Sequence, residues 1–274
     1  MRAFLCRFLL TVLFLSASCF LRAFDVCLHI DTGLAKTLPG WNAIQSFLYP
    51  ELASETENKL KQRGLELTIS KFILLTEGDL FDLQLQGVTE TQLKFLLQHK
   101  MIHPDWTYQK EDGIYRISNG KETELTIQPE QNGLRFTNGV IRQKVFLNFK
   151  LQKGSVIQGV LLCSPEKDRH PALTDVRIVY FYLNKMDGKI VLDFFIRGKD
   201  PEADKRIAAD LNLYFAKLYA NAARETTFDT SLFNIYRVST DQGWVKLRIT
   251  LTPEQAEIFF TQFGSALKDA LPRR

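Results

Sequence analysis

Cysteine is scarce in this chain: there are four among 274 residues, with Cys6 and Cys19 near the N-terminus and only Cys27 and Cys163 in the body. No Cys-x-x-Cys pair and no acidic loop of the EF-hand kind occurs, which excludes the familiar structural zinc and calcium sites. Of the four histidines, His29, His99, His103 and His170, only His99 and His103 stand at a ligand spacing. Lys100 occupies the place where a zinc protease carries glutamate, and Pro104 disturbs the helical turn that would align the two rings. A Gly-x-Ser-x-Gly nucleophile elbow is missing, as are the glycine-rich loops that cradle phosphates. No metal and no cofactor is expected. A surplus of one charge is lacking too: 35 Lys and Arg against 31 Asp and Glu leave +4, too little for a nucleic-acid-binding surface. What is present is 45% hydrophobic and 24% charged residues, a globular composition with material for a sizeable core.

Arg2 and Arg7 flank the start of the chain, and Phe8 to Leu15 is apolar apart from Thr11. Eight helical residues rise about 12 Å, well short of a bilayer core. A basic start, a short apolar stretch and then Ser16-Ala17-Ser18 form the pattern of a secretory signal peptide over residues 1–23. Two cuts are legible. Leu15-Ser16-Ala17-Ser18-Cys19 resembles a bacterial lipobox, which implies cleavage after Ser18 and lipidation of Cys19, although Ser16 stands where the pattern has an aliphatic residue. The rival cut, after Ala23, leaves Phe24 as a free terminus. Either removes Arg2 and Arg7, so the mature charge falls to +2 or +1. The expectation is export to the periplasm or cell envelope, with membrane contact only through an N-terminal lipid. In that oxidising compartment Cys27 and Cys163 could pair. Both sit in apolar strand-like runs, and buried thiols are the favoured reading.

The chain also resembles itself. Phe81-Asp82-Leu83-Gln84-Leu85-Gln86-Gly87 aligns with Leu192-Asp193-Phe194-Phe195-Ile196-Arg197-Gly198. Ile114-Tyr115-Arg116-Ile117-Ser118 aligns with Ile235-Tyr236-Arg237-Val238-Ser239, and Leu125 to Gln131 with Ile249 to Gln255. The unit reads as two strands joined by a turn, a helix and a hairpin. In the first copy, strands over 67–76 and 80–86 precede a helix opened by Thr89-Glu90-Thr91-Gln92, a capping box, with Leu93, Leu96 and Leu97 as its apolar stripe. In the second, strands over 175–183 and 189–197 precede a helix opened by Asp200-Pro201. Its stripe is Ile207, Leu211, Tyr214, Phe215, Leu218 and Ala222. Hairpins turn at Asn119-Gly120 and at Asp241-Gln242-Gly243, and a last helix opens at Thr252-Pro253-Glu254-Gln255 with Ile258 on its apolar side.

The fold class predicted is α+β: two diverged copies of this module, antiparallel sheets with helices on one face. A front strand over 25–30 and helical material over 41–63 make the first copy ferredoxin-like in element order. The second copy opens instead with strands over 140–151 and 156–163. The division falls at 132–139, giving a first repeat over 24–138 and a second over 139–274, and the halves can share one continuous sheet. In pattern the mature chain is similar to uncharacterised bacterial envelope proteins with duplicated α+β halves, a resemblance that implies no catalytic residues.

Three side chains remain as candidates for a site at the junction of the halves. Asp82 and Asp193 hold matching places in the two copies, so a pseudo-twofold arrangement would bring the carboxylates together; arginine partners such as Arg197 or Arg177 are the alternative. Asp168-Arg169-His170 is a polar loop in which His170 could serve as a base. Half-exposed aromatics such as Phe195 and Phe260 raise the alternative of an apolar partner surface. The sequence leans away from an enzyme. It points to an exported, non-catalytic protein that binds a partner protein, a surface polymer or an amphiphile, and not nucleic acid. A hydrolase with a polar junction site and an amphiphile carrier are the alternatives.

Overall fold

A computed structural model of the chain describes residues 24–39, 62, 64, 69–98, 107–118, 124–163, 175–222 and 236–258. Twelve strands form one antiparallel sheet: β1 (Phe24–Asp31), β2 (Lys71–Glu77), β3 (Leu80–Gln86), β4 (Thr107–Glu111), β5 (Ile114–Ser118), β6 (Glu124–Glu130), β7 (Gly133–Thr137), β8 (Ile157–Cys163), β9 (Val176–Met186), β10 (Lys189–Gly198), β11 (Tyr236–Asp241) and β12 (Trp244–Leu251). Their spatial order is β11-β12-β10-β9-β8-β1-β2-β3-β7-β6-β5-β4. The helices are α1 (Thr32–Ala35), α2 (Glu90–Gln98), α3 (Lys144–Leu147) and α4 (Pro201–Ala222), with a further turn of helix over 253–258. The protein is therefore α+β, mostly antiparallel sheet. Among the described residues no helix is long and apolar enough to cross a membrane.

The sheet sits where alternation puts it. On β1, Val26, Leu28 and Ile30 face one side and Cys27 and His29 the other. The first side, here the helical face, meets α1 and α4 in a core that includes Leu192, Phe194, Ile196, Ile207, Leu211 and Phe215. A second cluster lies beneath α2 at the β5–β7 end of the same face and includes Leu93, Leu97, Tyr115, Ile127 and Leu134. The reverse face carries a smaller cluster, in which Phe146 of α3 covers Cys27 and Val160. Central strand β8 is buried on both faces, which explains its near-continuous apolar run. Gly159 is required there, since a Cβ would lie 2.3 Å from the Cys27 carbonyl oxygen and 2.6 Å from Phe181 Cζ.

Local chemistry fixes the ends of the elements. Thr89 N–H donates to Gln92 Oε1 (2.7 Å) and Gln92 N–H to Thr89 Oγ1 (3.3 Å), the reciprocal pair expected of a capping box. Thr252 and Gln255 repeat it at 2.9 and 3.3 Å. Asp200 Oδ1 accepts from Ala203 N–H at 2.7 Å, with Pro201 at the first helical position of α4. Hairpins β4–β5, β9–β10 and β11–β12 turn through Asp112-Gly113, Asp187-Gly188 and Gln242-Gly243, every one of these residues at positive φ, the handedness that suits the twist of paired strands.

Several expectations are corrected. The segment 140–151, read as a strand, contains α3 instead; Ile141, Val145 and Phe149 around it pack on the reverse face rather than pairing in the sheet. Strand β7, within the segment 132–139, hydrogen-bonds to β3 and β6, all three inside the span 24–138. Strand β1 pairs with β2 on one side and β8 on the other, so the strands before and after that segment share one continuous sheet, the arrangement the sequence allowed. A ferredoxin-like unit would place a strand between β1 and β2; their direct antiparallel pairing gives a different topology. The matched hairpins also take different places: β12 lies against β10, whereas β7 separates β6 from β3. In strand order, β7 and then β6 follow β3 as β12 and then β11 follow β10, and hairpin β4–β5 lies beyond β6. Ile258, expected on an apolar helix side, is 41% exposed. The helical material at 41–63, the turn at 119–120 and the side chains of Leu96, Tyr214 and Leu218 lie outside the described residues.

Candidate functional site

Asp82 and Asp193 project from the reverse face of β3 and β10, as alternation requires, and there each meets an arginine from the next strand. Arg135 on β7 clamps Asp82, with Nε 3.1 and 3.0 Å from the two carboxylate oxygens and Nη2 2.5 Å from Oδ2. Arg248 on β12 grips Asp193 in the same forked way, at 2.6 and 2.9 Å. Such two-point pairing is the strong form of the carboxylate–guanidinium bond, and each carboxylate raises its arginine's pKa further. The partners are Arg135 and Arg248 rather than Arg197 or Arg177. Both are cross-strand neighbours and so far away in sequence.

The two aspartates are not brought together. From β3 to β10 the sheet counts five strand steps, about 24 Å at the usual spacing. No shared carboxylate site forms at the junction, because the halves continue side by side in one sheet instead of folding face to face. His170 and Cys19 lie outside the described residues, as do His99, His103 and Phe260. Among the described residues no three His, Cys, Asp or Glu side chains gather as a metal would need. Cys27 and Cys163 do not form a disulfide. Cys163 lies opposite Phe24 and Cys27 opposite Val160, so the two thiols point to opposite faces. Burial pushes the Cys27 thiol up to about 12, which leaves it unreactive.

A cleft of roughly 650 Å³ opens at the start of α2, lined by Thr89, Glu90, Glu130 and Asn132 among others. Its one strongly perturbed acid is already engaged: Glu90 Oε1 accepts from Lys110 Nζ (2.8 Å) and the Tyr115 hydroxyl (2.7 Å). Lys110 first and Tyr115 second hold the carboxyl down to about 2. At pH 7 it is a fixed anion and no proton donor.

The densest unassigned chemistry is elsewhere on the reverse face. Tyr182 meets Phe195 edge-on at 6.0 Å, and Tyr180 meets Trp244 at 5.4 Å. Phe149 closes the inner end of both rows, 6.0 Å from Tyr180 and 6.3 Å from Tyr182. At the outer ends Lys246 lies over Phe195 (5.8 Å) and Arg197 over Trp244 (5.1 Å). His29 approaches Phe149 at 6.2 Å; burial, and then the charge of Lys71, lower its pKa to about 4. Of these groups the sequence reading marked Phe195, as an aromatic left on an exposed strand face, and weighed Arg197 only as an acid's partner. The signal for the others was there: Tyr180-x-Tyr182, Asp193-x-Phe195-x-Arg197 and Trp244-x-Lys246-x-Arg248 alternate with period two.

The chain matches no protein family and no curated protein. Among solved structures it is similar to crystal form III of TP0453, with a TM-score of 0.50 at 10% identity, covering 92% of this chain and 97% of that one. Crystal form I of TP0453 gives a TM-score of 0.48 at 10% identity, covering 93% and 96%. At that identity the likeness to form III concerns the fold alone.

Proposed function

We propose that this is an exported, non-catalytic protein of the bacterial envelope, built from a module used twice, that binds a partner protein, a surface polymer or an amphiphile. One observation carries the non-catalytic part. The two acids best placed by sequence for acid–base work stand five strands apart, each neutralised by an arginine fork. A general acid needs a partner within hydrogen-bond reach of the same substrate atom and a pKa near the working pH; neither aspartate has such a neighbour. Export is supported by the leader pattern of residues 1–23, with cleavage after Ser18 and a lipid on Cys19, or cleavage after Ala23. Duplication is supported by the two strand-pair and helix runs and by the Asp–Arg forks at like places in the sheet order, β3–β7 and β10–β12.

The test is direct. Mass spectrometry of the protein recovered from an envelope fraction is expected to give a mature N-terminus at acylated Cys19 or at Phe24. The purified mature protein is expected to show no turnover on ester, peptide and glycoside substrates. An intact leader in a cytosolic pool refutes export, and saturable turnover abolished by Asp193→Asn refutes the non-catalytic reading.

A further inference from the structure

We propose that the reverse face of β9, β10, β12 and β11 is a binding surface for an acidic polysaccharide. This rests on the reading of the chain as a non-catalytic binding protein and names the polymer.

Two features of the face suit an anion. Arg237 on β11 and Arg248 on β12 stand directly opposite each other in register, an arrangement of like charges that destabilises a strand pair unless something negative lies between. Asp193 satisfies Arg248, and no described carboxylate reaches Arg237. Arg197 is exposed as well and rests on the Trp244 ring beside Gly243. With Lys246 paired to Asp241 at 2.5 Å, the patch amounts to two neutralised ion pairs and two unanswered guanidiniums. Carboxylates and phosphates are the groups that fit a guanidinium fork.

The aromatic rows choose among anions. Tyr182–Phe195 and Tyr180–Trp244 run across the strands from Phe149 to the cations. They give a half-buried, slightly apolar floor between charges, where the C–H edges of sugar rings can lie while their acidic groups reach Arg197 and Arg237. An anionic membrane is a poorer fit, because binding at a bilayer interface needs apolar side chains that enter it. Of the strongly exposed large hydrophobics only Met186, at the turn end of β9, stands on this face, and one such side chain is too little for insertion. Nucleic acid would call for a larger basic surplus than a near-neutral mature chain offers.

The probe is polygalacturonate, a polymer carrying one carboxylate per sugar, titrated against the mature protein while tryptophan fluorescence is followed. Saturable binding is expected that weakens as salt is added and disappears with the fully methyl-esterified polymer or with dextran. The double variant Arg197→Gln/Arg237→Gln is expected to bind about tenfold more weakly or worse, with an unchanged urea midpoint to show that it folds. Trp244→Phe should weaken binding, followed by calorimetry, and lose most of the fluorescence change. Failure to bind polygalacturonate, binding that ignores the double variant, or a preference for oligothymidylate or phosphatidylglycerol vesicles overturns the inference. If the polymer is bound and also cut, so that reducing ends accumulate, the surface stands and the non-catalytic reading falls. If it is neither bound nor cut, the surface falls and that reading stands.

Discussion

His29 gives the sharpest test of how the reverse face is packed. The ring is held between β2 and β8, beside Phe149, and takes up a proton only near pH 4 instead of at its ordinary 6.5. Burial is the main cause and the Lys71 charge the lesser. A group whose folded pKa is depressed binds its proton first in the unfolded chain. Its contribution is therefore complete above pH 6.5 and is lost as the pH falls from 6.5 towards 4. Each pH unit in that window is worth about 1.4 kcal/mol, so the upper limit is about 3 kcal/mol; discounting for partial exposure leaves about 2 kcal/mol. Urea unfolding of the mature protein at pH 7.5, 6.5, 5.5 and 4.5 measures this directly, with His29→Gln as the reference. Other groups titrate in both proteins and cancel in the difference. The wild-type advantage over the variant should shrink by about 2 kcal/mol on acidification. Parallel profiles through that window would show that His29 is solvated and that Phe149 does not cover it.

Three further outcomes follow from the same packing. Arg135→Met strands the Asp82 carboxylate, only 3% exposed, and should cost about 3 kcal/mol in urea unfolding, much of it regained in Asp82→Leu/Arg135→Met; simple additivity would refute the pairing. Gly159→Ala drives a methyl group against the β1 backbone and Phe181, so a loss of about 3 kcal/mol or a failure to fold is expected, and wild-type stability would disprove that close approach. Cys27 should react with a thiol reagent only as fast as the protein unfolds, and mass spectrometry under non-reducing conditions should find no Cys27–Cys163 link.

Local features were legible because their causes are local. Thr89-Glu90-Thr91-Gln92 and Thr252-Pro253-Glu254-Gln255 close hydrogen bonds over three residues, and Asp200-Pro201 starts a helix whatever lies beyond it. Strand β3 and the β9–β10 turn at Asp187-Gly188 follow from alternation and from backbone positions that favour glycine. Hairpin β4–β5 went unread although Asp112-Gly113 marks it plainly; β4 is exposed along its whole length and shows no apolar alternation. Segment 140–151 has strand-like composition, yet its apolar residues serve as a cover for the reverse face. Composition cannot tell a strand within a sheet from a segment laid over one.

By itself the sequence determined the α+β class of the fold, the β9–β10 and β11–β12 hairpins, the capped starts of α2 and α4, and the sheet face on which Asp82 and Asp193 stand. Those depend on periods of two and 3.6 residues and on bonds spanning a few positions. Only the tertiary structure decided that both halves enter one sheet, that Asp82 answers to Arg135 and Asp193 to Arg248, and that Tyr182, Phe195, Arg197, Trp244 and Arg237 share a surface. Strand order fixes who sits beside whom, and it is set by long-range pairing between segments that nothing in the local chain connects.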